Sequence, residues 1–288
     1  MPLVYLNGRL VEPASATVSV LDHGLVVGDG VFETVLVHDG RPFALSRHLE
    51  RLTASATGLG IALPARDELV SAVLAVVATL EAPRGRLRIT ATSGVGPLGS
   101  ARGGEAPTLV VAVAADAPGP EAVPVVLAPW TRNEHGALAG LKSTSYAENA
   151  RALAFAAERG ASEALFANTA GGLCEGTGAN VFVVVDGALV TPSLASGCLA
   201  GVTRALVLER FGGEERDVPV AVLDPGRASE AFLTSTLRGV QAIASVDGRP
   251  LPAPGPVTTA AAVAYDALVA TGLDEDGATG RSPHQTRR

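Results

Sequence analysis

Residues 30–43, GVFETVLVHDGRPF, followed at 45–60 by LSRHLERLTASATGLG, decide the fold class. The first stretch alternates around Asp39-Gly40, a dipeptide suited to a tight turn, and reads as a hairpin. The second repeats at helical spacing, with Leu45, Leu49 and Leu52 on one face and Ser46 as the expected N-cap. Upstream, VYLNGRLVEP carries another hairpin signal at Asn7-Gly8, and ATVSVLD (16–22) alternates as a strand would. Downstream, 66–80 reads as a second helix before GRLRITATSG and PTLVVAVAA resume the strand pattern. DAPGPEAVP, residues 116–124, is rich in Pro and Gly without periodicity and reads as a linker.

Beyond it, VPVVLAPW opens as a strand and 145–159 reads as a helix. EALFAN, NVFVVVDGALVTP, VPVAVL, EAFLTST and AIASVDG read as strands, and 202–211 and 258–270 as helices. Strands and helices mix without strict βαβ alternation, so the expected class is α+β (mixed α/β) rather than a doubly wound sheet.

At 288 residues the chain can bury a proper core in one large or two small domains. Hydrophobic residues at 47% against 18% charged exclude a mainly disordered chain. A net charge of −7 gives no general pull toward nucleic acid or anionic lipid. The longest apolar run, Leu69 to Leu80, falls far short of the ~20 residues that span a bilayer. MPLVYLNGRL lacks a signal-peptide layout, and Cys174 and Cys198 are too few for a disulfide framework. The expectation is a soluble cytoplasmic protein that binds neither nucleic acid nor membrane.

One count matters more. Of the 22 basic residues Lys142 is the only lysine, all others being arginine. Arginine replaces lysine as a surface charge, but a guanidinium stays protonated and cannot attack a carbonyl. The sole lysine is therefore a candidate nucleophile or Schiff-base former, unless it survived by chance. His23, His38, His48, His135 and His284 show no metal-ligand spacing, and no metal is expected.

GVGPLG (94–99) satisfies G-x-G-x-x-G, yet Pro97 interrupts it and no helix follows, so an ordinary loop is the better reading. A stronger constellation begins at Lys142 and continues through LCEGTGANVF and CLAGVTRALVLE. Gly201-Val202-Thr203 opens a helix and offers free N–H groups to a phosphate, or is a plain cap. TSTLRG (234–239) adds Ser235 and Thr236 at a strand end. A lysine, an acidic residue in a small-residue loop and phosphate-gripping helix starts together suggest pyridoxal phosphate.

In YLNG, LDHGLVVGDGVFET, HLERL, GLKSTSYAEN, EALFAN, LCEGTGANVF, LVTP, LAGVTR and the FLTST strand end, in this order, the chain resembles the class IV (fold-type IV) pyridoxal-phosphate enzymes from about residue 3 to 270. These include branched-chain and D-amino acid aminotransferases and 4-amino-4-deoxychorismate lyase. The resemblance implies Lys142 as Schiff-base lysine and proton carrier, and Glu175 as partner of the cofactor's ring nitrogen. It implies Arg51, Val202, Thr203, Ser235 and Thr236 around the phosphate, and Leu199 against the ring. Phe32, Glu33 and Thr34 fall where the family lines its substrate pocket; Ser93, Tyr146 and Arg238 are further candidates there. Asn180 is expected to brace the Glu175 loop. His48, beside Arg51, reads as packed rather than catalytic.

The resemblance also implies a small N-terminal domain (1–117), a linker (118–124), a larger cofactor-binding domain (125–273), a flexible tail (274–288) and a homodimer completing the pocket. GDGVFET and GLKSTS lean toward the lyase, which would convert aminodeoxychorismate to 4-aminobenzoate and pyruvate in folate biosynthesis. The alternative is an aminotransferase for branched-chain or D-amino acids. D-amino acid aminotransferases carry a substrate-trapping arginine in T-R-G, where this chain has Ser93, and the lyase string after the lysine has Asn-Arg, where it has Ser145-Tyr146. Arg238 and Arg132 are then the candidate carboxylate binders. A third reading, a non-catalytic scaffold, sits badly with Lys142, Glu175 and Arg51 occurring together.

Overall fold

The computed structural model describes residues 1–104, 106–224 and 226–272. Strands β1 (Val4–Leu6), β2 (Arg9–Val11), β3 (Gly30–His38), β4 (Arg41–Pro42), β5 (Arg84–Thr92) and β6 (Thr108–Ala115) form one antiparallel sheet in the order β2-β1-β6-β5-β3-β4. The short helix α1 (His23–Val26) precedes β3, and α2 (Leu45–Leu59) and α3 (Arg66–Val77) cover the sheet. Side chains alternate along a strand, so β3 presents Val31, Glu33, Val35 and Val37 to one face and Phe32, Thr34 and Leu36 to the other. Val31, Val35 and Val37 pack with Leu45, Leu49 and Leu52 of α2 in the first core. Burial of this kind contributes roughly 1.5–3 kcal/mol for each large side chain.

The second sheet has nine strands. They are β7 (Ala122–Leu127), β8 (Glu163–Ala167), β9 (Leu173–Gly176), β10 (Asn180–Val185), β11 (Ala188–Thr191), β12 (Glu214–Glu215), β13 (Ala228–Ser235), β14 (Gly239–Val246) and β15 (Arg249–Pro250). The order is β12-β11-β10-β13-β14-β7-β8-β9, with β15 on β14. Parallel pairs β14–β7, β7–β8 and β11–β12 sit among antiparallel ones, a mixed sheet in keeping with the expected class. Helices α4 (Ala147–Ala157), α5 (Val202–Arg210) and α6 (Pro256–Thr271) complete the elements. Leu36 and Phe43 share an apolar cluster with Val202, Leu206 and Tyr265, which draws the opening of α5 toward the first sheet.

Several local expectations are corrected. Residues 16–22 form no strand; Asp22 instead turns inward, accepting from Gly24 N–H and the Thr92 and Thr108 hydroxyls. Ser46 does not cap α2, whose N-cap is Ala44 in a left-handed conformation (φ 52°) without a side-chain bond. In VPVAVL, Pro219 is followed by a 3₁₀ turn over Val220–Leu223 rather than a strand. Strand is already present from Ala122, inside the stretch expected as linker. The segment 94–99 is a loop, seated on His23, whose Nε2 lies 2.8 Å from the Pro97 carbonyl. The expected tail, 274–288, lies outside the described residues. No helix of the described residues is long and apolar enough to cross a membrane.

Candidate active site

Lys142 lies on a segment laid along β3. Phe32 N–H donates to the Lys142 carbonyl (3.0 Å), Thr144 N–H to Gly30 O (2.7 Å), and Lys142 N–H to Ser55 Oγ of α2 (3.1 Å). This backbone is held from both sides, so the side chain is aimed by β3 and α2 together. Lys142 Nζ sits 4.3 Å from the centre of the Phe32 ring and makes no hydrogen bond or ion pair among the described residues. Burial, with Arg51 and Arg88 nearby, brings its ammonium down to about 8 against the pull of Glu33 and Glu175. An amine poised this close to neutrality is a nucleophile and a proton carrier.

The cavity that Lys142 enters has a volume of about 580 Å³ and lies between the two sheets. That is ample for a cofactor-sized ligand. At one end stands Glu175, on β9 opposite Phe166 of β8. Its Oε2 accepts Leu199 N–H (2.9 Å) and its Oε1 lies 3.5 Å from Arg132 Nε. Burial pushes the carboxyl above its ordinary range, with the nearby Arg132, the Leu199 N–H and Lys142 opposing. Such a group gains most from a further cationic or N–H partner. Glu175 thus sits on a strand, not in the loop the sequence suggested. Asn180 braces the turn that follows Leu199 rather than Glu175 itself: its Nδ2 donates to Leu199 O (2.8 Å), and a Cβ on Gly201 would lie 1.9 Å from its Oδ1.

At the other end α5 opens from Gly201 without a side-chain cap, leaving its first N–H groups for an anion. Val202 and Thr203 of its first turn, Ser235 at the end of β13 with Thr236 after it, and Arg51 from α2 all line the cavity. Arg51 Nη1 donates to Ala200 O at 2.9 Å, which ties α2 to this turn.

The remaining wall comes from β3 and β5. Phe32, Thr34, Arg86 and Arg88 line it, with Tyr146 edge-on to Phe32 at 5.3 Å. Tyr146 Oη donates to Thr177 O (2.9 Å). Two expected pocket residues are absent from it. Glu33 points the opposite way from Phe32 and Thr34, where it is fully buried and ion-paired with Arg51. Ser93 follows the end of β5 and donates its N–H to Asp29 O (3.0 Å) away from the cavity lining.

Arg238 and Arg132 line the cavity but are both engaged. Arg238 Nη2 donates to Glu163 (2.7 Å); Arg132 meets Glu148, Asn149 and Glu175 and stacks on Phe166. Arg86 is paired with Asp116. Arg88 is the exception: its guanidinium lies 3.8 Å over the Phe32 ring and donates to Thr90 Oγ1 (3.1 Å), with no carboxylate partner among the described residues. Sequence reasoning missed it. The signal was the alternation in GRLRIT, which puts Arg86 and Arg88 on one face of β5.

A sequence model of the amino-transferase class IV family matches residues 30–246. A putative branched-chain-amino-acid aminotransferase of Methanocaldococcus jannaschii is 34% identical over 85% of this chain and 88% of its own. A D-alanine aminotransferase of Bacillus licheniformis is 31% identical, covering 88% and 93%. The structure of a hypothetical aminotransferase from Mycobacterium tuberculosis, in its pyridoxal-phosphate-bound form, matches with a TM-score of 0.80 at 28% identity, over 93% of this chain and 99% of that one.

Proposed function

This chain belongs to the class IV aminotransferase family, and from that we propose that it is a pyridoxal-phosphate-dependent aminotransferase passing an amino group between an amino acid and a keto acid. The residues fit the cofactor: a buried amine unpartnered among the described residues, a carboxyl raised by burial and an uncapped helix start share one cavity. The relatives favour this reading over the lyase. When bound, the cofactor supplies a carbonyl carbon for the amines and a ring that stabilises negative charge at the substrate Cα. Lys142 would hold it covalently and, once displaced by the substrate amine, its neutral Nζ would take the Cα proton and return it to the cofactor's former carbonyl carbon, two bonds away. Glu175 holds a proton on the ring nitrogen; Arg51, the start of α5, Ser235 and Thr236 hold the phosphate. The first sheet with its helices forms the small domain and the second the large one. A homodimer belongs to the proposal, supported by the largely exposed Val20, Leu25 and Leu98, apolar surface of the kind a second copy covers.

The substrates are amino acids, and Arg88 carries that reading; the branched-chain class among them is supported by the relative that is 34% identical. Arg88 is the cavity's one arginine without a carboxylate partner among the described residues, and it shares the Phe32 ring with Lys142 Nζ. A substrate carboxylate on Arg88 therefore arrives beside the amine. D-amino acids are the weaker alternative because Ser93 supplies no cation. The test supplies L-leucine, L-isoleucine or L-valine with 2-oxoglutarate, D-alanine with the same acceptor, and aminodeoxychorismate alone. Keto-acid formation from the L-amino acids supports the proposal; release of 4-aminobenzoate without an acceptor would restore the lyase. Arg88→Leu is expected to raise KM for the amino acid roughly 10- to 100-fold, the worth of a charge-assisted hydrogen bond, with a smaller change in kcat. An unchanged KM would remove Arg88 from substrate binding.

A further inference from the structure

Glu33 was expected at the substrate and instead belongs to the anion end. Its carboxylate is completely buried and accepts Arg51 Nε (2.7 Å) on one oxygen, and Arg51 Nη2 and His48 Nδ1 (2.8 Å each) on the other. These bonds, with the arginine beside it, hold Glu33 down at about 2 despite the burial, so it is ionised. His48 is held below its ordinary range by its own burial, so it is neutral and donates from Nδ1. The group therefore carries one negative and one positive charge. Glu33 takes away charge that an anion site would use, so what it contributes must be direction. A guanidinium is planar with five N–H groups in fixed directions. Glu33 engages two and Ala200 O a third, leaving one on each Nη at the cavity.

We infer that Glu33, seconded by His48, is a positioning residue that fixes the Arg51 guanidinium so that its two uncommitted N–H groups meet the phosphate of the cofactor. This rests on the phosphate reading of Arg51 given above.

The test compares binding of pyridoxal 5′-phosphate and of pyridoxal, which lacks the phosphate, to the full-length protein freed of cofactor. The ratio of the two affinities isolates the phosphate grip, whereas general damage weakens both alike. Glu33→Gln keeps the size of the side chain and is expected to lower the ratio roughly 10-fold or more while pyridoxal binds as before. In a double-mutant cycle, the same substitution on an Arg51→Gln background should cost little further. An unchanged or higher ratio in Glu33→Gln, or a full loss persisting without Arg51, overturns the inference. If Arg51→Gln alone leaves the ratio intact, the phosphate reading fails first and this inference with it. Should Glu33→Gln not fold, His48→Leu frees the same carboxylate from further away; it should lower the ratio and His48→Gln, which retains a donor, should restore it. No loss in His48→Leu counts against the inference.

Discussion

Lys142→Arg is expected to reduce turnover by at least about 10⁴-fold and to abolish covalent attachment of pyridoxal phosphate, seen as loss of its visible absorbance. The upper range for a single acid–base group is about 10⁴-fold, and here the same atom also anchors the cofactor. Arginine keeps the charge beside Phe32 but offers no amine that can lose a proton. Persistence of both colour and turnover would refute the proposed chemistry. A pH dependence accompanies it. Burial lowers the Lys142 ammonium to about 8, so the reactive neutral form is the minor one below that pH and dominates above it. Cofactor capture by the cofactor-free protein should therefore rise with pH through a midpoint near 8 and then level off. An unperturbed lysine would continue to gain until beyond about pH 10. A midpoint there would show that the cavity does not desolvate the amine.

Glu175→Gln is expected to lower kcat roughly 10²–10³-fold, the cost of removing one partner from a buried charged pair. The amide preserves the bond from Leu199 N–H to its oxygen but brings no negative charge to the ring nitrogen. Glu175→Asp keeps the charge on a shorter arm and should recover part of the loss. The comparison separates charge from shape: near-full activity in Glu175→Gln beside a loss in Glu175→Asp would mean that only the contact to Leu199 matters. Measured under single turnover, the deficit should appear in proton removal from the substrate Cα.

The first core was legible because leucines at 45, 49 and 52 can share a face only if the segment is helical. Lys142 was legible because arginine had taken every other basic position, and Glu175 because its surroundings matched a known motif. What escaped depended on neighbours distant in the chain. Alternation at 16–22 builds no strand: Asp22 makes a single bridge to Val95, and its side chain finds hydroxyl partners 70 and 86 residues away. Ser46 suited a cap by type, but the helix had already begun at Leu45. Arg88 and Arg238 are chemically the same in the sequence; only the placement of Glu163 engages one and leaves the other to the cavity. The aminotransferase and lyase readings share the chemistry of Lys142 and Glu175, which is why these residues alone did not separate them.

The two-sidedness of β3 bears on how this catalyst can be altered. Positions 32 and 34 line the cavity while 33, between them, faces the other way and pairs with Arg51. Mutagenesis aimed at substrate scope can therefore randomise alternate codons and leave the middle one alone. Inserting or deleting a single amino acid upstream in the strand would exchange the two duties, so this stretch should tolerate substitution far better than any change in its length.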